Sequence, residues 1–162
     1  MKSVYWLLLL MVTLCSPVLA KEVKRYPLPN NSTFPIASAV EVNGLVFESG
    51  NVPSPQQPDA EKNSREYWGD TEYQARNVLQ KIQTSLQNKG MDMGDVIKMT
   101  VFLVGDPAND GRMDFSGFMK AYTEFFGTDE QPDLPARSAF QIAGLVIPGM
   151  LVEIEVIAVR PD

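Results

Sequence analysis

Three charged residues interrupt a run of strand-forming apolar residues, LPARSAFQIAGLVIPGMLVEIEVIAV, at residues 134–159. Arg137 lies near the start of the run, and Glu153 and Glu155 lie near its end. Alternate residues of a strand share one face, so the two glutamates point the same way, about 7 Å apart. A buried charge is costly unless it is paired, and arginine binds a carboxylate through two parallel hydrogen bonds. The pattern therefore indicates a site for a small carboxylate; solvated charges on an open sheet face are the alternative.

The two strands of this run are predicted to form an antiparallel hairpin with GLVIPG, residues 144–149, as its loop. This pairing places Ala139 or Gln141 across from Glu153, with Arg137 two to four residues away, roughly 7 to 13 Å along the strand. A small molecule would fit between Arg137 and Glu153. The alanines on this face favour burial against another subunit over contact with water.

The elements around this hairpin predict one domain of class α+β at residues 34–162. Sequence patterns indicate a β-hairpin at Asn43-Gly44, a helix over Thr71–Lys89, a strand in DVIKMTVFLVGD and a helix over about Met113–Phe126. With the last two strands, the order is β-β-α-β-α-β-β, which predicts a sandwich with both helices on one sheet face. The second helix carries aromatic residues at helical spacing, which are predicted to pack in the core: Phe115, Phe118, Tyr122, Phe125 and Phe126.

The first twenty residues, MKSVYWLLLLMVTLCSPVLA, are predicted to be a secretory signal peptide cleaved after Ala20. Their apolar run is shorter than the roughly 20 residues of a membrane-spanning helix. Residues 21–33 are polar and contain Pro27 and Pro29, so an extended segment without packed structure is expected there. These patterns predict a periplasmic or secreted protein that has no stable membrane association after cleavage.

Composition excludes several chemistries. The chain has no histidine, and its one cysteine, Cys15, lies in the predicted signal peptide. A mature chain would therefore lack disulfides, thiolate nucleophiles, histidine-containing zinc sites and Ser-His triads. The net charge of −6 becomes one unit more negative when Lys2 is removed, which disfavours nucleic acids and anionic membranes as partners. Small ligands and proteins are the expected partners.

Several segments resemble the RidA/YjgF family of imine and enamine deaminases. LPARSAFQIAGL followed by PGMLVEIEVIAV is similar to the family's C-terminal signature, and SGNVP and VIKMTVFLVGD are similar to other recurrent segments. The resemblance covers nearly all of residues 34–160. It implies a chorismate-mutase-like fold with a mixed sheet, assembled as a homotrimer with sites between subunits. It also implies hydrolysis of 2-aminoacrylate and related 2-imino acids to 2-keto acids and ammonia, without a metal or organic cofactor.

The resemblance also implies roles for individual residues. Arg137 matches the arginine that binds the substrate carboxylate, and Glu153 matches the position that orients the attacking water. Gly50 matches a glycine whose backbone lines the pocket, where the missing side chain lets a ligand approach. Glu155 is the rival base on the face of Glu153. The other implied substrate-binding positions are Ser138, Ala139, Met119 and Ile36.

Three of these positions depart from the family's pattern. Ile36 stands where many members have a tyrosine, Met119 where they often have an asparagine, and Ala139 where they often have a cysteine. The turn at residues 145–149 is also one residue longer than the usual Leu-Pro-x-Gly. These changes make the pocket more apolar and favour a substrate with a bulkier side chain or an altered role.

Two other functions stay open on the sequence alone. The first is a non-catalytic trimer that binds a small carboxylate or keto acid, which export favours because enzymes that generate 2-aminoacrylate are mainly cytosolic. The second is a chorismate mutase, since the implied fold is shared, although a shared fold is a weak argument for function. Chorismate mutase sites usually bring several cationic groups together, and here only Arg137 is placed on the polar sheet face.

Overall fold

The computed structural model describes residues 22–161, and these form the predicted α+β fold with a mixed sheet. Its strands are β1 (Val23–Tyr26), β2 (Ala39–Val42), β3 (Leu45–Glu48), β4 (Val96–Val104), β5 (Ala136–Ile142) and β6 (Val152–Val159). Its helices are α1 (Arg65–Trp68), α2 (Thr71–Gln87) and α3 (Phe115–Tyr122). The predicted signal peptide lies outside the described residues. No helix within them is long and apolar enough to cross a membrane.

The two longer helices, α2 and α3, pack on one face of the sheet and enclose the core, as predicted. Each helix begins at an aspartate whose side chain accepts a backbone N–H of the first turn: Asp70 caps α2 and Asp114 caps α3. Large side chains from both helices and from the central strands are fully buried together: Leu79, Ile82, Met99, Leu103, Phe118 and Ile154. The predicted apolar stripe of α2 therefore faces the sheet.

The strand order is β1-β2-β3-β6-β4-β5, and it corrects the predicted C-terminal hairpin. β4 lies between β5 and β6, parallel to β5 and antiparallel to β6, so neither Ala139 nor Gln141 faces Glu153 across a hairpin. α3 connects β4 to β5, and a helical crossover is the usual connection between parallel neighbours. Residues 143–151 then carry the chain past β4 to β6.

The position of β4 sends Arg137 and Glu153 to opposite faces of the sheet. Met99 of β4 is in register with Arg137, whereas Phe102 is in register with Glu153. Residues in register share a face, and Met99 and Phe102 are three positions apart on an alternating strand. Met99 is buried beneath the helices. Arg137 therefore lies on the helix face, and Glu153 lies on the other face, which we call the open face.

The open face carries an apolar surface that residues 22–161 do not cover. Phe140 is 52% exposed and Phe47 is 40% exposed. Their partners in register, Phe102 and Ile157, are half-buried. From the sequence, the alanines are expected to lie on a face that another subunit buries. This expectation is wrong for Ala139, because this residue packs against the core on the helix side of its own sheet. The exposed aromatic residues are the feature of the sheet that marks an interaction surface.

An additional strand, β1, forms where the sequence predicts an extended segment without packed structure. It pairs with β2 at the edge of the sheet, and Tyr26 donates its hydroxyl hydrogen to Glu41 at 2.6 Å. Arg160, just after β6, donates to the same carboxylate from Nε and Nη2 at 2.7 and 2.8 Å. An edge strand of four residues that ends before Pro27 has too little periodicity to be found in the sequence.

The Glu41 carboxylate is expected to stabilise the fold in a pH-dependent way. The hydrogen bonds from Arg160 and Tyr26 lower the pKa of Glu41 to about 2. Since this pKa is lower in the folded than in the unfolded chain, the stabilisation is present above the unfolded pKa and is lost as pH falls towards 2. At pH 7, Glu41→Gln should lower the free energy of unfolding by about 2 kcal/mol.

Denaturant unfolding of the wild type and of Glu41→Gln between pH 7 and pH 2 measures this effect. The difference between the two proteins should shrink below about pH 4.5. Glu130→Gln, on an exposed loop, gives the background effect of removing one carboxylate. A difference that stays constant with pH would show that the Glu41 charge does not stabilise the fold.

Candidate functional site

Arg137 lies on β5 with its guanidinium group packed against α3. Its Cζ atom is 4.3 Å from the ring centroid of Tyr122, 5.1 Å from that of Phe118 and 5.7 Å from that of Phe115. Its Nη1 donates to Sδ of Met119 at 3.2 Å. Aromatic rings attract a cation placed over their faces. The helix therefore holds the guanidinium group in place through contacts that do not neutralise its charge.

Within residues 22–161, no carboxylate lies within 4.0 Å of the Arg137 guanidinium. A guanidinium carries five N–H donors that point outward in its plane, and ring contacts do not accept them as a carboxylate does. A thioether sulfur is only a weak acceptor. The remaining N–H groups are therefore suited to a planar anion such as a carboxylate.

The aromatic residues of α3 have a second role that the sequence analysis missed. Phe118 and Tyr122 are buried, as predicted for core residues, but Phe115 is 40% exposed. All three also surround the Arg137 guanidinium. The sequence cue to this role is Arg137 on the strand that follows the helix. It can be recognised only when β5 is known to pair with β4, because this pairing places Arg137 on the helix face.

Glu153 lies on the open face of β6, beside Gly50. Asn51 and Ile154 exchange backbone hydrogen bonds, with N···O distances of 2.8 and 3.1 Å, which brings Gly50 against the Glu153 side chain. A Cβ atom at residue 50 would overlap Oε1 of Glu153. Burial raises the pKa of Glu153, and the negative charge of Glu155 raises it further. Gly50 is thus required for this close approach of backbone and carboxylate.

Two residues of α2 hold the segment that follows Gly50, and the sequence analysis missed both. Lys81 Nζ donates to the carbonyl oxygen of Val52 at 2.7 Å, and Asn77 Oδ1 accepts from the backbone N–H of Ser54 at 2.7 Å. Burial lowers the pKa of Lys81. Because these side chains are four residues apart on one helix, they form a pair of adjacent anchors for residues 52–54.

The residues predicted for the site fall into two groups within one chain. Met119 and Ala139 lie with Arg137 on the helix side of the sheet. Gly50 lies with Glu153 on the open face. The first group offers donors for a carboxylate, and the second offers a carboxylate with a raised pKa.

The other two predicted residues lie apart from these groups. Ser138 points to the open face, where its Oγ accepts from Nζ of Lys98 at 3.2 Å. Ile36 is 48% exposed on the loop before β2. Within one chain, the structure brings neither residue to the Arg137 guanidinium.

Comparison with known proteins identifies relatives of the whole domain. The family model described as Endoribonuclease L-PSP matches residues 30–160. TdcF of Escherichia coli strain K12 is 33% identical over 126 residues, which are 78% of this chain and 87% of TdcF. A 2-iminobutanoate/2-iminopropanoate deaminase of Salmonella typhimurium is 30% identical over 126 residues, which are 78% of this chain and 88% of that protein.

Solved structures share the fold. The crystal structure of E. coli TdcF with bound serine superposes with a TM-score of 0.61 at 33% identity, covering 80% of this chain and 91% of that one. PA3499 of Pseudomonas aeruginosa, a protein of unknown function, superposes with a TM-score of 0.68 at 28% identity, covering 86% of this chain and 94% of that one. The element order and helix placement are therefore those of its relatives.

Removing the charge of Glu155 should lower the pKa of Glu153. In Glu155→Gln, the repulsion between the two carboxylates is gone, so the charged form of Glu153 is favoured. The pKa should still stay above that of a solvated glutamate, because burial is the larger cause of the shift. Titration of the Glu153 side-chain carboxyl by ¹³C NMR measures the value in both proteins. An unchanged value in Glu155→Gln would mean that the charges do not interact.

Proposed function

Because the chain belongs to the Endoribonuclease L-PSP family, that is, the YjgF/RidA family, we propose that it is an imine deaminase. It hydrolyses 2-imino acids of the 2-aminoacrylate type to 2-keto acids and ammonia. One observation carries this proposal: Arg137 is held on an aromatic surface, with N–H groups free of any carboxylate partner among the described residues. The name of the Salmonella relative, an iminobutanoate and iminopropanoate deaminase, supports the reaction class.

In the proposed reaction, Arg137 binds the substrate carboxylate and Glu153 acts on a water molecule. The water oxygen forms a bond to the electrophilic imine carbon while its proton passes to the Glu153 carboxylate. Addition to the protonated imine, the iminium form, gives a neutral carbinolamine. Glu153 then returns its proton to the amino nitrogen, the C–N bond breaks as the hydroxyl oxygen forms the C=O bond, and the hydroxyl proton passes to solvent as ammonia leaves. A raised pKa makes Glu153 a stronger base, and general base catalysis typically contributes about 100-fold to 10,000-fold in rate.

The two parts of the proposed site come from different copies of the chain. Arg137 and Glu153 lie on opposite faces of one sheet, so one subunit does not place both around a small substrate. Burial of the apolar open face by neighbouring copies would bring the Glu153 of one copy towards the exposed edge strand β5 of another. A homotrimer with sites between subunits meets this requirement.

The surroundings of Arg137 favour a substrate with an apolar side chain. Met119 contacts the guanidinium directly, and Phe115 exposes 40% of its surface beside it. A substrate whose carboxylate binds Arg137 would lay its side chain along these apolar groups. The proposed preference is therefore for imino acids derived from leucine, methionine or phenylalanine over the one derived from alanine.

The family description as an endoribonuclease finds no support in the charge of this chain. The protein has 20 acidic and 14 basic residues. Binding of RNA depends on neutralising its phosphates with lysine and arginine, which a net negative protein does poorly. A carboxylate-binding module without catalysis is the better second candidate, because the crystal structure of TdcF holds bound serine, a small molecule with a carboxylate.

Ammonia release tests the reaction. With imino acids generated in situ by an amino-acid oxidase, the protein should accelerate ammonia release, most strongly for the bulky apolar substrates. Arg137→Ala should lower kcat/KM about 100-fold, as expected for a lost charged hydrogen-bonded pair. Arg112→Ala, which removes an exposed arginine outside the site, is the matched control. Carboxylate binding that depends on Arg137, without any acceleration, would instead support the binding module.

Mixing two inactive variants tests the shared site. In a trimer assembled at random from equal amounts of Arg137→Ala and Glu153→Gln, about one quarter of the sites would combine an intact Arg137 with a neighbour's intact Glu153. The mixture should therefore regain about one quarter of the wild-type activity after joint refolding. No recovery would place both residues in one subunit, and light scattering that gave the mass of a single chain would exclude the trimer.

A further inference from the structure

The methionines of the protein differ in their access to solvent. In residues 22–161 there is no cysteine, so methionine is the only sulfur-containing side chain there. Four methionines are at most 5% exposed: Met91, Met93, Met99 and Met150. Met113 and Met119 are half-buried. A soluble oxidant should therefore reach Met113 and Met119 before the other four.

We propose that Met119 is a site of reversible oxidation. Its sulfoxide oxygen accepts a hydrogen bond from the Arg137 guanidinium and competes there with a carboxylate ligand. The inference rests on the proposed function only in taking Arg137 as the residue that binds the carboxylate. The oxidant is hydrogen peroxide. The thioether sulfur attacks one peroxide oxygen, an S–O bond forms as the O–O bond breaks, and water is released. Sulfur loses two electrons, and the peroxide gains them.

The contact between Met119 and Arg137 is the reason that oxidation there matters. In the reduced protein, Nη1 donates to Sδ at 3.2 Å, and a thioether is a weak acceptor that a carboxylate displaces easily. A sulfoxide oxygen is a polar acceptor on the same flexible side chain. It would receive a hydrogen bond from a charged donor, which is about twice as strong as a bond between neutral groups.

No neighbouring charge on α3 competes for this contact. Lys120, the adjacent residue, is 3.4 Å from the Glu72 carboxylate. The other groups around the guanidinium are the rings of Phe115, Phe118 and Tyr122. Arg137 is therefore the cation that the sulfoxide oxygen would contact.

Oxidation of Met119 is reversible. Methionine sulfoxide reductases return the sulfoxide to the thioether, which would free the Arg137 guanidinium for a carboxylate again.

The first experiment identifies the oxidised residues and their effect on binding. The full mature protein is treated with hydrogen peroxide, and peptide mass spectrometry measures the sulfoxide at each methionine. Calorimetry with pyruvate, a small 2-keto acid, measures carboxylate affinity before and after treatment. Oxidation should weaken pyruvate binding about ten-fold in the wild type, as expected when a charged hydrogen bond must be displaced. Treatment with both methionine sulfoxide reductases should reverse the change.

Two variants separate Met119 from its half-buried counterpart. In Met113→Leu, oxidation should weaken binding as in the wild type, whereas in Met119→Leu the affinity should be the same before and after peroxide. Loss of affinity on oxidation of Met119→Leu would overturn the proposal. So would oxidation of buried methionines ahead of Met119.

A second measurement keeps this test independent of the proposed function. The side-chain ¹⁵N NMR signal of Arg137, assigned by its absence in Arg137→Ala, should shift on oxidation of the wild type and not of Met119→Leu. If this signal shifts but untreated protein does not bind pyruvate, the proposed function fails and the contact stands. If Met119 is oxidised and the signal does not move, the inference itself is wrong.

Discussion

The place of β4 between β5 and β6 is the constraint on which the candidate site depends. Side chains alternate across a pleated strand, so three strands in fixed register leave no choice of face for any residue. Arg137 is in register with Met99 and must lie under α3, whereas Glu153 is in register with Phe102 and must lie on the open face. Neither side chain reaches the other face without a shift of register that would expose the core.

This constraint gives the two groups different environments. On the helix face, Arg137 lies beside aromatic rings that attract a cation and carry no opposite charge. On the open face, Glu153 lies against the backbone of Gly50 and near another carboxylate, and its charged form is disfavoured. A fixed cation with free donors suits ligand binding, and a carboxylate of raised pKa suits proton transfer. The difference between them follows from the face that each occupies.

The sequence predicts much of the fold because its signals are local. Apolar periodicity and capping by Asp70 predict α2, and Asn43-Gly44 predicts the turn between β2 and β3. Strand order is not a local property: β5 and β6 have the same alternation whether they pair with each other or with β4. The helix between β4 and β5 is the one cue to the parallel pairing. The sequence is enough to select Arg137, Glu153 and Gly50 as candidate residues. The face of the sheet on which each one lies follows only from the strand register.

The strand register also connects the open face to the chemistry. An apolar face with Phe47 and Phe140 exposed is stabilised when another surface removes it from water. Glu153 lies on that face, so covering it would withdraw the carboxylate further from solvent and raise its pKa in the same direction as the burial already present. In the proposed trimer, assembly would therefore do two things at once. It would bring Glu153 towards the Arg137 of a neighbour, and it would bury the Glu153 carboxylate further. The neighbouring guanidinium lowers the pKa of Glu153 until a substrate carboxylate neutralises that cation, so the pKa raised by burial applies to the ligand-bound site.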